Sequence, residues 1–244
     1  MSETAKSSVL VIGGTKGTGL LIARLLHERG FRVRVLARDP ARAAAELGAS
    51  FEVIAGDLTK AETLAPAVAQ GDHIIFTAGA ASGRYAPESL VKATDYQGVV
   101  DTLAAARQAG LAGRFVYLNS IGIATPSLAG ALLNLLKRNA LVWRRRVEED
   151  IRASGLDYTI IRVGFLLDRP GGEHAVLVGQ DALPLAPRHR IARADVAEAF
   201  VEAMQYPGTS RVTFEIVWGK GPRRENWSAL FEKLKPDQGS PATE

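Results

Sequence analysis

The sequence contains no cysteine, and that absence removes disulfides, thiolate metal sites and thiol nucleophiles together. Any redox chemistry must use a borrowed cofactor. Histidine is scarce as well: His27, His73, His174 and His189 include no pair at helical ligand spacing, which argues against a zinc site. No apolar run reaches membrane-spanning length, and residues 1–8 are polar with no apolar stretch behind a basic start, so a soluble, cytoplasmic protein with no membrane partner is expected. Neither sign of charge dominates. With 30 Lys and Arg against 26 Asp and Glu, the net charge is +4, a modest excess that suits an anionic small molecule and falls short of a nucleic-acid signature. The 244 residues, 47% of them apolar, are enough to bury a substantial core and fit one α/β domain.

From Ser8 onward, short β-branched runs alternate with longer stretches rich in Ala and Leu. This pattern predicts a single doubly wound α/β domain, Rossmann-like, with a parallel sheet covered by helices on both faces. Strands are expected over 9–12, 31–36, 51–54, 73–77, 114–118, 158–163 and 212–217, each a near-continuous apolar segment suited to burial on both sides. Between them, 20–29 has apolar residues at helical spacing and stops at Gly30. Asp39-Pro40 offers an N-cap and a proline at the first helical position for a helix over 41–47, ended by Gly48. Thr59 with Glu62, and Asp195 with Glu198, read as capping devices for two further helices, the second running to about Gln205. Residues 1–7 and 236–244 are expected to be disordered tails around a domain spanning 8–235. Segment 164–193, with Gly171-Gly172 and Pro170, Pro184 and Pro187, is less regular; it follows the sixth strand and should lie over the carboxyl ends of the strands as an insert that binds substrate.

The first strand leads into Gly13-Gly14-Thr15-Lys16-Gly17-Thr18-Gly19 and then a helix. Strand, glycine turn, helix is the context a diphosphate requires. Glycines allow a tight turn and close backbone approach, and the unpaired N–H groups of the helix start stabilise the negative charge. Gly13, Thr15, Lys16, Gly17, Thr18 and Gly19 are therefore candidate cofactor-binding residues.

The spacing of these glycines, three residues and then one, is that of the short-chain dehydrogenases/reductases. Ala55-Gly56-Asp57-Leu58, Thr77-Ala78-Gly79, the run from Ser154 to Arg162 and Arg193-Ala194-Asp195-Val196-Ala197 extend the match over about 8–206. Together they resemble the atypical, nitrogen-regulator-like and flavin-reductase-like branch of that family. The resemblance implies that the residue after the second strand selects the cofactor: Arg38 would pair with the 2′-phosphate of NADP(H), which is preferred, NAD(H) being possible. Lys16 could add a second charge there; the alternative for Arg38 is a solvated surface arginine. Asp57 and Leu58 would flank the adenine, with a turn or capping role the alternative for Asp57. Thr77, Ala78 and Gly79 would line the ribose, and Val163 would pack beside the nicotinamide where the family often has proline.

The Tyr-x-x-x-Lys pair of the main branch is missing. Tyr85, Tyr96, Tyr117, Tyr158 and Tyr206 are followed four residues later by Ser89, Val100, Ile121, Arg162 and Ser210. Tyr158 and Arg162 are predicted on a strand, where four residues span about 13 Å, so they cannot replace a helical pair. Arg144 stands where the atypical branch commonly has a lysine, four residues before Glu148; it could hold the nicotinamide ribose, or belong to a basic helix face paired with Glu148 and Glu149. Ser120, at the end of the fifth strand, takes the usual place of the active-site serine; it could hold a substrate oxygen or relay a proton, or simply satisfy backbone groups. With Leu118 rather than glycine two positions earlier, it is no nucleophile elbow. A complete dinucleotide site beside an incomplete acid–base pair predicts an NADPH-dependent oxidoreductase acting on a quinone-like, flavin-like or otherwise conjugated small molecule, Ser120 and Arg144 being the candidate catalytic residues. A noncatalytic NADP(H) sensor acting through a protein partner is the competing reading; sugar-nucleotide epimerisation is disfavoured by the missing tyrosine and the short C-terminal portion.

Overall fold

Alternate side chains of the first strand part to opposite faces, and both faces are covered. In the computed structural model, which describes residues 7–79, 87–125, 127, 130, 135, 139–223 and 226–238, β1 (Ser8–Ile12) buries Val9 and Val11 on one side of the sheet and Leu10 and Ile12 on the other. Such two-sided burial is what a parallel strand needs. The remaining strands of the main sheet are β2 (Arg32–Ala37), β3 (Glu52–Ala55), β4 (His73–Phe76), β5 (Arg114–Ser120), β6 (Asp157–Val163), β8 (Val176–Gly179) and β10 (Val212–Trp218). Their spatial order is β3-β2-β1-β4-β5-β6-β10-β8, parallel except for β8, which runs antiparallel to β10. β1 pairs with both β2 and β4, so the winding reverses there and the loops after β1 and β4 diverge to open a crevice.

On one face lie α1 (Gly17–Glu28), α7 (Arg193–Gln205) and α8 (Trp227–Phe231). Ile22 and Leu26 of α1 and Phe200 and Val201 of α7 pack there against Val9, Val11 and Val35. The opposite face is covered by α3 (Leu64–Val68), α5 (Gly98–Gln108) and α6 (Ala140–Ala153), which place Leu64, Leu103, Val147 and Ile151 against Leu10, Phe76 and Tyr117. The predicted Rossmann-like, doubly wound domain is therefore the observed one. α2 (Pro40–Leu47) begins as expected: Asp39 accepts from the Arg42 N–H at 3.1 Å, and Gly48 closes the helix at φ +87°. Among the described residues no helix is long and apolar enough to cross a membrane.

Two capping assignments are corrected. Thr59 does not cap a helix; its N–H and hydroxyl both donate to Asp57 Oδ1 at 2.9 Å, and a single 3-10 turn (Ala61–Thr63) intervenes before α3. Asp195 is no cap either, because the short strand β9 (Arg190–Ala192) runs directly into α7 at Arg193. Fully buried, Asp195 accepts from the Gly172 N–H and from Trp218 Nε1, both at 2.7 Å, and so pins the glycine turn of segment 164–193.

That segment is also more regular than its prolines suggest. β7 (Phe165–Leu167) pairs with β9 in a second, two-stranded parallel sheet, and β8 extends the main one. Both features depend on pairing across distance, which composition does not report. At the C-terminal end, order continues past the predicted boundary: Asp237 accepts from Arg152 Nε (3.0 Å), Tyr158 Oη (2.9 Å), the Thr213 N–H (3.0 Å) and Thr213 Oγ1 (2.6 Å). A polar residue after proline reads as tail until its buried partners are seen.

Candidate functional site: a dinucleotide crevice

Each glycine of the loop after β1 answers to a different constraint. Gly13 has φ +90°, and a Cβ there would lie 2.6 Å from the Ala78 amide nitrogen and 2.8 Å from Thr77 Oγ1. At Gly19 a Cβ would collide with the carbonyl oxygen of Gly13. These two let β1, β4 and α1 meet closely. Gly17, the first residue of α1, has φ +56°, and around its absent side chain the nearest group is Arg193 Nη1 at 3.9 Å. This face of the loop is open to a ligand. α1 has no side-chain cap on its first N–H groups and no acidic residue in its first turn, so its positive end is unopposed and suited to a diphosphate. Lys16 is exposed at the N-cap and Thr15 is half-buried beside it. Thr77 has a packing duty: its N–H and its hydroxyl both donate to the Ile12 carbonyl, at 2.8 and 3.1 Å, closing the floor of the crevice.

Beyond the end of β2, Arg38 is exposed. Asp57 lies within reach of its field: the Thr59 N–H chiefly, then the Thr59 hydroxyl and the charges of Arg38 and Lys60, hold this carboxyl below the usual range against the opposing effect of burial. Asp57 thus serves the turn through Oδ1 while remaining ionised. Lys60, which nothing in the local sequence singles out, joins Arg38 as a second cation there. Leu58 is pressed against α5, where a Cβ on Gly98 would approach to 2.9 Å.

Across the crevice, at the end of the fifth strand, Ser120 closes β5 opposite Val163 of β6. The Ser120 hydroxyl donates to the Ile121 carbonyl at 3.0 Å, and its N–H donates to Asn119 Oδ1 at 2.9 Å. Val163 is buried within the core shared with α1 and α7. Arg144 comes to the loop after β4, since a Cβ on Gly79 would lie 2.7 Å from its Nη2. Its guanidinium donates twice to Asp95 Oδ1, at 3.1 and 2.8 Å. Asp95, almost fully buried, sits on a π-helical turn (Ala93–Gln97) joining α4 (Glu88–Lys92) to α5; the alternative pairing of Arg144 with Glu148 is not realised. Glu148 accepts from Arg152 Nη2 (2.9 Å), from Arg162 Nε (2.9 Å) and Nη2 (2.7 Å), and from Asn119 Nδ2 (2.8 Å). Tyr117 is sealed in the core, and burial pushes its phenol far above the ordinary tyrosine range.

Segment 164–193 folds down beside Ser120. The Gly122 N–H donates to the Leu183 carbonyl at 3.0 Å, and Leu183 and Leu185 pack on Ile121 and Val217 as a small separate apolar cluster. Beneath it the Leu183 N–H donates to Glu215 Oε2 at 2.6 Å, and burial raises the Glu215 carboxyl despite that bond and the nearby Arg162. Tyr85 lies outside the described residues. Sequence reasoning missed Asp95 and Arg193, whose partners are remote in the chain, and Lys60, which lies near Asp57 but belongs to no motif.

A reversal of winding at β1, an open glycine at the start of an uncapped helix and an arginine after β2 define a nucleotide-binding protein of the short-chain dehydrogenase/reductase type. Residues 13–207 match the family model described as NAD(P)H-binding, and the chain belongs to that family, in the atypical branch of those enzymes. It is similar to sanguinarine reductase of Eschscholzia californica, at 30% identity over 96% of this chain and 98% of that protein. Among solved structures it is similar to a putative NAD-dependent epimerase/dehydratase from Bacillus halodurans, with a TM-score of 0.79 and 26% identity over 93% of this chain and 100% of that one. It also shares its fold with ChuY, an anaerobilin reductase from Escherichia coli O157:H7, at a TM-score of 0.72 and 24% identity over 88% of this chain and 98% of that one.

Proposed function

We propose that this chain is an NADPH-dependent reductase that passes a hydride to a conjugated, quinone-like or flavin-like acceptor held between Ser120 and segment 164–193. The observation that carries the reading is the contrast between an open dinucleotide cradle at Gly17 and a reacting end with no free, tuned acid among the described residues. Tyr117 is buried and resists ionisation, Arg144 is held by Asp95, and Glu148 is held by Arg152 and Arg162. A simple ketone needs a protein acid beside its oxygen. A conjugated acceptor needs less, because it spreads the arriving charge and water can deliver the proton. Bound NADPH would supply the hydride; the chain would position and desolvate the acceptor. In this reading Ser120 orients the acceptor oxygen, and Arg144, fixed by Asp95, lies along the nicotinamide ribose. Kinship with a protein named sanguinarine reductase supports a reductase.

The test is NADPH consumption in the presence of a panel of quinones and free flavins, beside calorimetric titration of the cofactor. Turnover with at least one acceptor, lowered by Ser120→Ala, is expected. Tight NADPH binding with no consumption across the panel would instead favour a sensor that works through a protein partner.

Preference for NADPH over NADH rests on Arg38 with Lys60 nearby. A charge-assisted bond to a 2′-phosphate contributes about 2–3 kcal/mol, so Arg38→Asp should weaken NADPH about 30- to 150-fold. NADH should change by less than about threefold, since it lacks the phosphate. Equal losses for the two cofactors would refute the preference.

A further inference from the structure

Arg193 stands between the diphosphate loop and the substrate segment. It is the first residue of α7, yet its Nη1 donates to Thr18 Oγ1 in the first turn of α1 at 3.3 Å, and the same nitrogen is the nearest group to the open side of Gly17. On its other side, Nε donates to Asp168 Oδ1 at 2.9 Å. The register explains that pairing. Leu167 of β7 lies opposite Ala192 of β9, so Asp168 and Arg193 are the next residues along, and their ion pair fastens the end of the small sheet that carries segment 164–193.

The two ends of this bridge differ in permanence. The Arg193 side chain is 29% exposed and anchored on α7, whereas Asp168 is 88% exposed, so water competes strongly for the pair and it holds weakly. Nη2 of Arg193 makes no hydrogen bond among the described residues. A planar guanidinium that meets a diphosphate at the positive end of a helix gains two-pronged, charge-assisted bonds that a solvated carboxylate cannot match.

We propose that Arg193 is a binding residue for the cofactor diphosphate and that it exchanges Asp168 for the diphosphate when the dinucleotide enters. Cofactor entry then releases the Asp168 end of the β7–β9 sheet, linking occupancy of the glycine loop to the segment that covers the acceptor. The inference needs only the dinucleotide binding that family membership provides, and it is independent of which acceptor, if any, is reduced.

Titration of the full-length protein with NADPH and with NADH, by calorimetry or nicotinamide fluorescence, separates exchange from simple scaffolding. Arg193→Ala should weaken both cofactors by a similar factor, about tenfold, with Arg193→Lys intermediate, because both carry the diphosphate. Asp168→Asn should act in the opposite direction and tighten both about two- to fivefold, since the competitor is gone. Were the ion pair only structural, both substitutions would weaken binding together. Arg193→Ala within twofold of the parent, or Asp168→Asn no tighter than the parent, overturns the proposal. Because the readout is binding, loss of the reductase reading would leave this result intact, and loss of this one would leave reductase activity standing.

Discussion

Gly17→Asp is expected to abolish dinucleotide binding, raising Kd for NADPH and NADH more than about 100-fold, while the protein stays folded. The position has φ +56°, a conformation that aspartate tolerates better than most side chains. A carboxylate at the first turn of α1 interacts favourably with the helix dipole, by roughly 0.3–1 kcal/mol, which offsets much of the backbone cost. The same carboxylate stands where a diphosphate must come and next to Arg193 Nη1, so it would occupy the anion site from within. Steric exclusion and like-charge repulsion act together on the ligand and not on the fold. Gly19→Ala gives the contrasting result: its methyl meets the Gly13 carbonyl and Thr77 Oγ1, so it strains the junction of β1, β4 and α1 and lowers Tm. Calorimetric titration beside thermal denaturation separates the two. Undiminished affinity in Gly17→Asp would remove the loop from the cofactor site.

Glu148→Ala is expected to produce the largest loss of stability. The Glu148 side chain is 2% exposed, and its two oxygens take bonds from Arg152, Arg162 and Asn119. Removing it strands the Arg162 guanidinium, 14% exposed, with only the longer 3.4 Å pairing to Glu215 among the described residues. Breaking one side of a buried pair costs about 3–5 kcal/mol, and in a domain of this size each kcal/mol lowers Tm by about 2–4 °C. A fall of roughly 10 °C is therefore expected by calorimetry. Activity should suffer beyond stability, because Asn119, which holds the Ser120 N–H, loses its 2.8 Å bond to Glu148. A change of less than 3 °C would mean that water or Glu215 replaces the lost carboxylate.

What makes the cradle and the strands legible is their locality. A glycine at positive φ, a cap such as Asp39 with Pro40, and near-continuous apolar runs are conditions on neighbouring residues, so the Rossmann-like domain and the loop from Gly13 to Gly19 can be read from composition and spacing. The same locality explains the errors. Asp195 and Thr59 have the residue types of caps, but a strand leading directly into α7 and a turn closed by Asp57 put them to other uses.

By itself, then, the sequence determined the class of ligand: a diphosphate-bearing dinucleotide, through a glycine turn that allows positive φ and close backbone approach and a first helical turn without an acidic residue. The tertiary structure alone decided the partners of the charges. Arg144 meets Asp95 across 49 residues and Arg193 meets Thr18 across 175, because a parallel sheet brings the ends of strands far apart in the chain to one edge. A side chain's residue type sets the chemistry it can perform, but its neighbours set whether that chemistry is available, and in this fold most of those neighbours arrive from another turn of the winding.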